Sequence, residues 1–346
     1  MKKYVVFIML AILVAGGLFW RSSEAQRANR ARAGQPTPAV TPEKAAAPRS
    51  DHKVKSLEIK VLSTMLADDG IGEWGFAAVV EADGRRILFD TGAREETVLK
   101  NAQELGVDLS DIEDVILSHN HADHTNGLLT LRRQFSRTNR KALTRAHVGR
   151  GIFWPRPLAS GREGNDMIAL KPTYQRLGGK FIEHPDAVEL YPGIWLSGSV
   201  PRIHPEKNWS GENRVATPNG IVEDNIPEDL SLIIDTEEGL VVISGCGHAG
   251  IVNTMEQARK AVRETPVYAV IGGFHLFENN DEQVDWVGTK MREFGVKHFL
   301  GGHCTGIEAV YRIRQKAGLE RKSCVVSAVG SSFSLEKGID PLVLAQ

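Results

Sequence analysis

Ser118-His119-Asn120-His121-Ala122-Asp123-His124 is the stretch on which the reading of this chain turns. It follows the apolar run 115–117 and precedes Thr125-Asn126-Gly127-Leu128, so it reads as the loop leaving a short buried strand. Four metal-binding side chains within six positions have no use in packing. In extended backbone, residues i and i+2 point to the same side. His119 and His121 can therefore share one cation. Asp123 and His124, at the turn that follows, can face a second cation beside it. Imidazole and carboxylate donors suit zinc, and also iron or manganese. The expected cofactor is a pair of divalent ions, Zn2+ foremost.

Outward from this loop, short apolar strands alternate with helical patterns. Strands are expected at 57–62, 76–81, 86–89 and 115–117, with Asp83-Gly84 as a tight hairpin turn. A helix is expected at 97–105, stopped by Gly106. In the second half, strands at 230–234 and 240–243 flank the turn Thr236-Glu237-Glu238-Gly239. Helices at 251–262, 283–294 and 307–317 alternate with strands at 267–271, 298–300 and 324–326. Strands followed by mixed elements, in both halves, imply an α/β fold with two sheets face to face and helices outside. Residues 134–228 carry a weaker pattern and more Gly, Pro, Arg and Asn. They are expected to be a loop-rich insertion over one face, where substrate selectivity resides.

The N-terminal portion has a different character. Lys2 and Lys3 precede the apolar run 4–20, and Ser23-Glu24-Ala25 offers a small-x-small cleavage site. Residues 1–25 are expected to be a signal peptide or signal anchor. Uncleaved, residues 4–20 are a membrane tether. Residues 26–55 are expected to be a flexible Ala/Pro/Arg-rich stalk, broken by Pro36, Pro38, Pro42 and Pro48. The first 55 residues hold ten basic and three acidic side chains, which leaves 56–346 at −8 against an overall −1. The expectation is an exported protein, periplasmic or otherwise extracytoplasmic, either soluble after cleavage or anchored to the inner membrane. Near-neutral overall charge argues against nucleic acid as a partner. Three cysteines exclude a disulfide framework. A small-molecule substrate is expected, and the oligomeric state is left open.

His-x-His-x-Asp-His after a strand resembles the metallo-β-lactamase superfamily. Phe89-Asp90-Thr91-Gly92, Ser244-Gly245-Cys246-Gly247-His248-Ala249-Gly250 and Gly301-Gly302-His303-Cys304-Thr305-Gly306 match its later parts in order. The resemblance spans roughly 57–330. It implies a four-layer αβ/βα sandwich over 56–346, with the metals at one edge of two sheets and Asp90 orienting a ligand histidine from behind. Three motifs point to a narrower branch: Gly245–Asn253, Ile271-Gly272-Gly273-Phe274-His275-Leu276 and His303-Cys304-Thr305-Gly306. Together they are similar to the branch named for 7,8-dihydropterin-6-yl-methyl-4-(β-D-ribofuranosyl)aminobenzene 5′-phosphate synthase, also described as dihydropteroate-synthase-like metallo-hydrolases. Glu73-Trp74-Gly75 departs from the Glu-His-Gly of that branch and alters the rim of the site.

Further ligands are expected from the Gly-rich corners. His248 and His303 are the candidates for third ligands. Cys246 is either a ligand, in a segment that lacks an Asp, or a small buried thiol. His275 is either a ligand or an acid facing the substrate, and His204 is a lesser candidate from the insertion. His52, His147, His184 and His298 read as surface or packing histidines, and Cys304 and Cys324 as packing residues. The implied chemistry is hydrolysis by a hydroxide that bridges two metals, on an ester, lactone, amide or phosphodiester. Asp123 holds the hydroxide and takes up its proton, and His248 or His275 protonates the leaving group. The alternatives are a synthase or transferase like the one the branch is named for, a di-iron oxidoreductase, and a non-catalytic membrane-tethered metal-binding sensor. His121 stands where di-iron relatives carry Glu, which disfavours the oxidoreductase.

Overall fold

Along the strand Arg85–Phe89, Ile87 and Phe89 face one way and Leu88 the other, and all three are buried. A strand covered on both faces requires a layer on each side. On one side Ile87 and Phe89 join Ile59, Val61, Ile234, Ile243 and Ile271 in a core between two sheets. On the other side Leu88 joins Leu62, Val79, Val98, Leu131 and Tyr174 beneath an outer helical layer. A third cluster, with Val242, Val270, Phe299, Met255, Met291 and Ile313, seals the opposite helical layer. The chain is the four-layer αβ/βα sandwich.

The computed structural model describes residues 50–209 and 212–344. The leader expected at 1–25 and the stalk over 26–49 lie outside the described residues. Among the described residues no helix is long and apolar enough to cross a membrane.

The first sheet has eight strands in the order Gly338–Asp340, Ser332–Ser334, Leu57–Ser63, Ala77–Ala82, Arg85–Phe89, Asp114–Leu117, Arg145–Gly149 and Lys180–His184. The second has seven: Cys324–Val326, His298–Gly301, Val267–Gly272, Gly239–Ser244, Leu232–Thr236, Ile194–Leu196 and Val188–Tyr191. Helices Thr97–Glu104, Leu128–Phe135 and Asp166–Arg176 cover the first sheet. Ile251–Ala261, Asp281–Glu293 and Ile307–Ala317 cover the second. Each sheet contains a run of parallel strands. The loops leaving the carboxyl ends of such strands are where open α/β sheets place their sites. Every expected strand and helix begins and ends within two residues of the observed one. The hairpin turn at Asp83-Gly84 has φ of 47° and 75°, the left-handed pair such a turn demands.

Two expectations need correction. Residues 134–228 are not a single insertion. Arg145–Gly149 and Lys180–His184 complete the first sheet, and Val188–Tyr191 and Ile194–Leu196 complete the second. The loop-rich parts are 150–165 and 197–228, the latter with one small hairpin, Arg214–Thr217 against Gly220–Glu223. The edge strands escaped notice because they are half-exposed and charged, as in Lys180–His184. The helix between them escaped because Pro172 sits inside it. Residues 50–55 belong to the body rather than the stalk. Val54 is buried, and its N–H donates to the Asp235 carbonyl at 2.8 Å.

Tyr174, on that overlooked helix, is fully buried and donates its hydroxyl to the Leu143 carbonyl at 2.7 Å. Tyr174→Phe should cost about 1–2 kcal/mol by leaving that carbonyl unpaired. Urea denaturation measures it. An unchanged midpoint would place this helix outside the cooperative unit.

Candidate metal centre

Asp90 ends the strand Arg85–Phe89 and adopts φ of 57°, a left-handed conformation costly for a residue with a Cβ. The turn aims its carboxylate into the loop after Leu117. Asp90 Oδ1 accepts the Ser118 N–H at 2.7 Å, and Oδ2 accepts the Ser118 hydroxyl at 2.8 Å and the His124 Nδ1–H at 2.7 Å. Ser118 Oγ in turn accepts from His119 Nδ1 at 2.9 Å. His248 Nδ1 donates to the Asn208 carbonyl at 2.5 Å. In three imidazoles, therefore, Nδ1 carries the proton and Nε2 keeps its lone pair.

These lone pairs converge. The donor atoms of His119, His121 and His248 lie within 4.8 Å of one another, as do those of Asp123, His124 and His303. Cys246 joins His119 and His124 in one such group and His248 and His275 in another. Its Sγ is 3.2 Å from His124 Nε2. His303 Nε2 stands 3.3 Å from Asp123 Oδ2 and 3.2 Å from His124 Nε2. His119 Nε2 and His248 Nε2 are buried without a hydrogen-bond partner. Two buried acceptors left unpaired within one group are costly on their own, and a divalent cation would satisfy them. The residues present fit the ions that the sequence implies.

Electrostatics agree. Burial pulls His119 and His248 well below the usual imidazole range, and pulls His121 down to about 4, so all three are neutral ligands near pH 7. Burial alone would raise Asp123. The adjacent His124 and His303 outweigh it and hold the carboxyl well below the usual carboxylate range.

The expected site residues thus meet: His119, His121, Asp123, His124, Cys246, His248, His275 and His303, with Asp90 behind them. His275 and His303 share the strained backbone of Asp90, at φ of 45° and 48°. His204 is not brought there; its ring lies against Trp286, 6.0 Å between centroids. His147 pairs with His184 and Asp114, His52 with Asp83, and His298 with Tyr268.

Four contributors were missed. Cys304 is at the centre rather than in remote packing: its Sγ is 3.3 Å from that of Cys246 and accepts the His275 N–H at 3.2 Å. Its adjacency to His303 in a Gly-rich corner was the available signal. Asn208, Glu206 and Asp229 hold the turn that carries Cys246 and His248, and no local pattern marks them. Glu206 accepts the Val252 and Asn253 N–H groups, and Asp229 accepts that of Ala249. Gly245 has to be glycine, because a Cβ there would meet Ser118 Oγ at 2.1 Å and Asp90 Oδ2 at 2.5 Å.

The family model described as the metallo-beta-lactamase superfamily matches residues 75–259. A 7,8-dihydropterin-6-methyl-4-(beta-D-ribofuranosyl)-aminobenzene-5′-phosphate synthase of Methanocaldococcus jannaschii is 33% identical over 273 residues, 74% of this chain and 90% of that protein. An uncharacterized protein of the same organism is 28% identical over 70% of this chain and 87% of its own length. A solved metal-dependent hydrolase of the beta-lactamase superfamily superposes with a TM-score of 0.64 at 26% identity, covering 80% of this chain and 98% of that one. A metallo-beta-lactamase fold protein from Bacillus subtilis gives a TM-score of 0.50 at 12% identity over 80% of this chain and 99% of its own, a likeness of fold alone.

Asp90→Asn keeps the shape but removes an acceptor for the His124 Nδ1–H. Metal affinity should fall by about 10–100-fold, read by competition with a chromogenic chelator. Stability of the metal-stripped protein should also depend on pH. Unfolded, His121 titrates near 6.5, and folded it is held at about 4. Between those values the unfolded chain binds more protons, so stability is full above 6.5 and is lost as pH falls toward 4. Buried Glu206, Glu228 and Asp229, raised to about 7, 7 and 6, act with the opposite sign, so the test compares the parent with His121→Asn. Thermal melts across that window should show less loss toward acid in the variant, and identical profiles refute it.

Proposed function

The chain belongs to the metallo-β-lactamase superfamily, an enzyme family, and from that premise we propose that it is a metal-dependent hydrolase of small molecules. The scissile bond is an ester, lactone, amide or phosphodiester. The observation that carries this reading is the donor set: two groups of three, side by side, the first with the Nε2 lone pairs of His119 and His248 buried and unpaired, the second with the Asp123 carboxylate against His124 and His303. His119, His121 and His248 would hold one ion, and Asp123, His124 and His303 the other, with Cys246 in reach of both groups. Zn2+ is the first choice for such ligands, with iron or manganese compatible. Bound there, divalent ions lower the pKa of a water toward about 7 and polarise the carbonyl or phosphoryl oxygen under attack.

The protein's own groups supply the rest. Asp123 is ionised and only partly buried, so its carboxylate orients the attacking water and takes up its proton. His275 stands 4.7 Å from the His248 ring and is half-buried, placed to protonate a leaving group. Asp90, Ser118 and Asn208 fix the imidazoles so that no reorientation accompanies the reaction.

A second reading has a specific observation in its favour: the 33% identical relative carries a synthase name and aligns over 90% of its length. On that reading the same donors assist joining rather than cleavage. Action outside the cytoplasm is part of the proposal and rests on the leader-like composition of residues 1–25.

The zinc-loaded protein should hydrolyse at least one of 4-nitrophenyl acetate, a γ-lactone and bis(4-nitrophenyl) phosphate. Chelation should abolish turnover, and added zinc should restore it. His121→Ala should lose metal and activity together. Failure on all three, with formation of the product named for the relative, would transfer the assignment to the synthase. Failure in both assays would leave a metal-binding sensor.

A further inference from the structure

Trp74 and Phe277 are large apolar residues left 48% and 45% exposed. They come from distant parts of the chain, yet their rings meet edge to face, 5.4 Å between centroids at 78°. Each also touches the metal centre. The Trp74 ring lies 5.0 Å from that of His303, and the Phe277 ring 5.1 Å from that of His275. Aromatic surface therefore runs without a break from the rim to the donors.

Neither ring is on a loose loop. The Glu73 carboxylate accepts the Ser63 hydroxyl at 2.7 Å and the Ala93 and Arg94 N–H groups at 2.8 and 3.1 Å. The next residue but one, Gly75, packs so closely on the metal loop that a Cβ would meet the Asp123 carbonyl at 2.8 Å. On the other side, the Leu276 and Phe277 N–H groups both donate to the Cys304 carbonyl, at 3.1 and 3.3 Å. Two rings fixed by backbone and half in water form a preorganised apolar corner, and a corner of this kind gains by covering its exposed faces.

We propose that Trp74 and Phe277 grip a planar aromatic or heteroaromatic ring of the substrate, attached to the group that reaches the donor atoms. The substrate class is thereby narrowed from small molecules in general to those bearing a flat ring. The Trp74 ring lies beside the donor His303, and the Phe277 ring beside His275. The cleft of about 540 Å³ beside His121, with Asn120, Arg156 and Asp224 in its wall, takes the remainder of the molecule. This inference rests on the reading of the corner as a substrate site, but it concerns binding and needs no turnover.

The test is a titration of the full zinc-loaded chain with two probes, 2-naphthoate and decalin-2-carboxylate, which share a skeleton and a charge but differ in planarity. The aromatic acid should bind about tenfold tighter by calorimetry. That preference should fall below about threefold in Trp74→Ala and in Phe277→Ala, and return in Trp74→Phe. Near-native zinc stoichiometry and circular dichroism identify variants that have kept their fold. Equal affinity for the two acids in the parent protein overturns the proposal. So does a preference that survives both alanine substitutions. A protein that prefers 2-naphthoate through Trp74 but hydrolyses nothing upholds the ring grip and removes the hydrolase reading. One that hydrolyses esters yet shows no ring preference does the reverse.

Discussion

The two oxygens of Asp90 tie three groups of the metal loop: the Ser118 N–H, the Ser118 hydroxyl and the His124 Nδ1–H. Without those ties the loop 118–124 would be a polar excursion from a buried strand, free to place its imidazoles in many ways. With them, the orientation of His124 is set directly, and that of His119 through Ser118. The carboxylate is fully buried, and an ion there is tolerated only because it is saturated with hydrogen bonds. The left-handed backbone at Asp90 is what aims it, and the lack of a side chain at Gly245 leaves room for it. The charge, the strained turn and the glycine are one device.

A second device holds the opposite wall. His248 rides on a glycine-rich turn that has no stiffness of its own. Rigidity comes from the 197–228 segment: the Asn208 carbonyl takes the His248 Nδ1–H, and Glu206 caps the first turn of Ile251–Ala261. Burial raises Glu206 to about 7, partly offset by the backbone N–H groups it accepts. The same segment presents Asp224 and Glu228 to Arg156, a buried trio beside His121. Such a trio adds little net stability, yet removing one member would strand a charge in the interior. The loop-rich segment thus shapes the cleft and also fixes a ligand, which couples substrate selectivity to metal geometry.

How much of this could be read from residues alone follows from the range of each interaction. Strand and helix positions were legible because alternation and helical spacing are local, and both sheets bury both faces of their central strands. The donors at 119–124 were legible because one short loop supplies four metal-binding side chains, more than packing can use. Asp90 was legible through resemblance. The edge strands Lys180–His184 and Val188–Tyr191 were not, since a half-exposed strand carrying charges has no apolar signature. Glu206, Asn208 and Asp229 were illegible for a different reason. A buried carboxylate and a loop carbonyl act through tertiary contacts spanning 20 to 47 positions, and nothing in their neighbours predicts the partner.

Cys304 shows where a local reading fails in an instructive way. It was assigned to packing, and it is indeed 1% exposed. Burial, however, does not separate a packing thiol from one that lines a metal corner. What separates them is the company: Sγ of Cys304 meets Sγ of Cys246 and the His275 N–H, and Cys246 in turn meets His124. Soft sulfur beside imidazole is a donor pairing that suits zinc or iron better than magnesium or calcium. The strand-end position that holds Cys246 is one where an oxygen donor would favour harder ions.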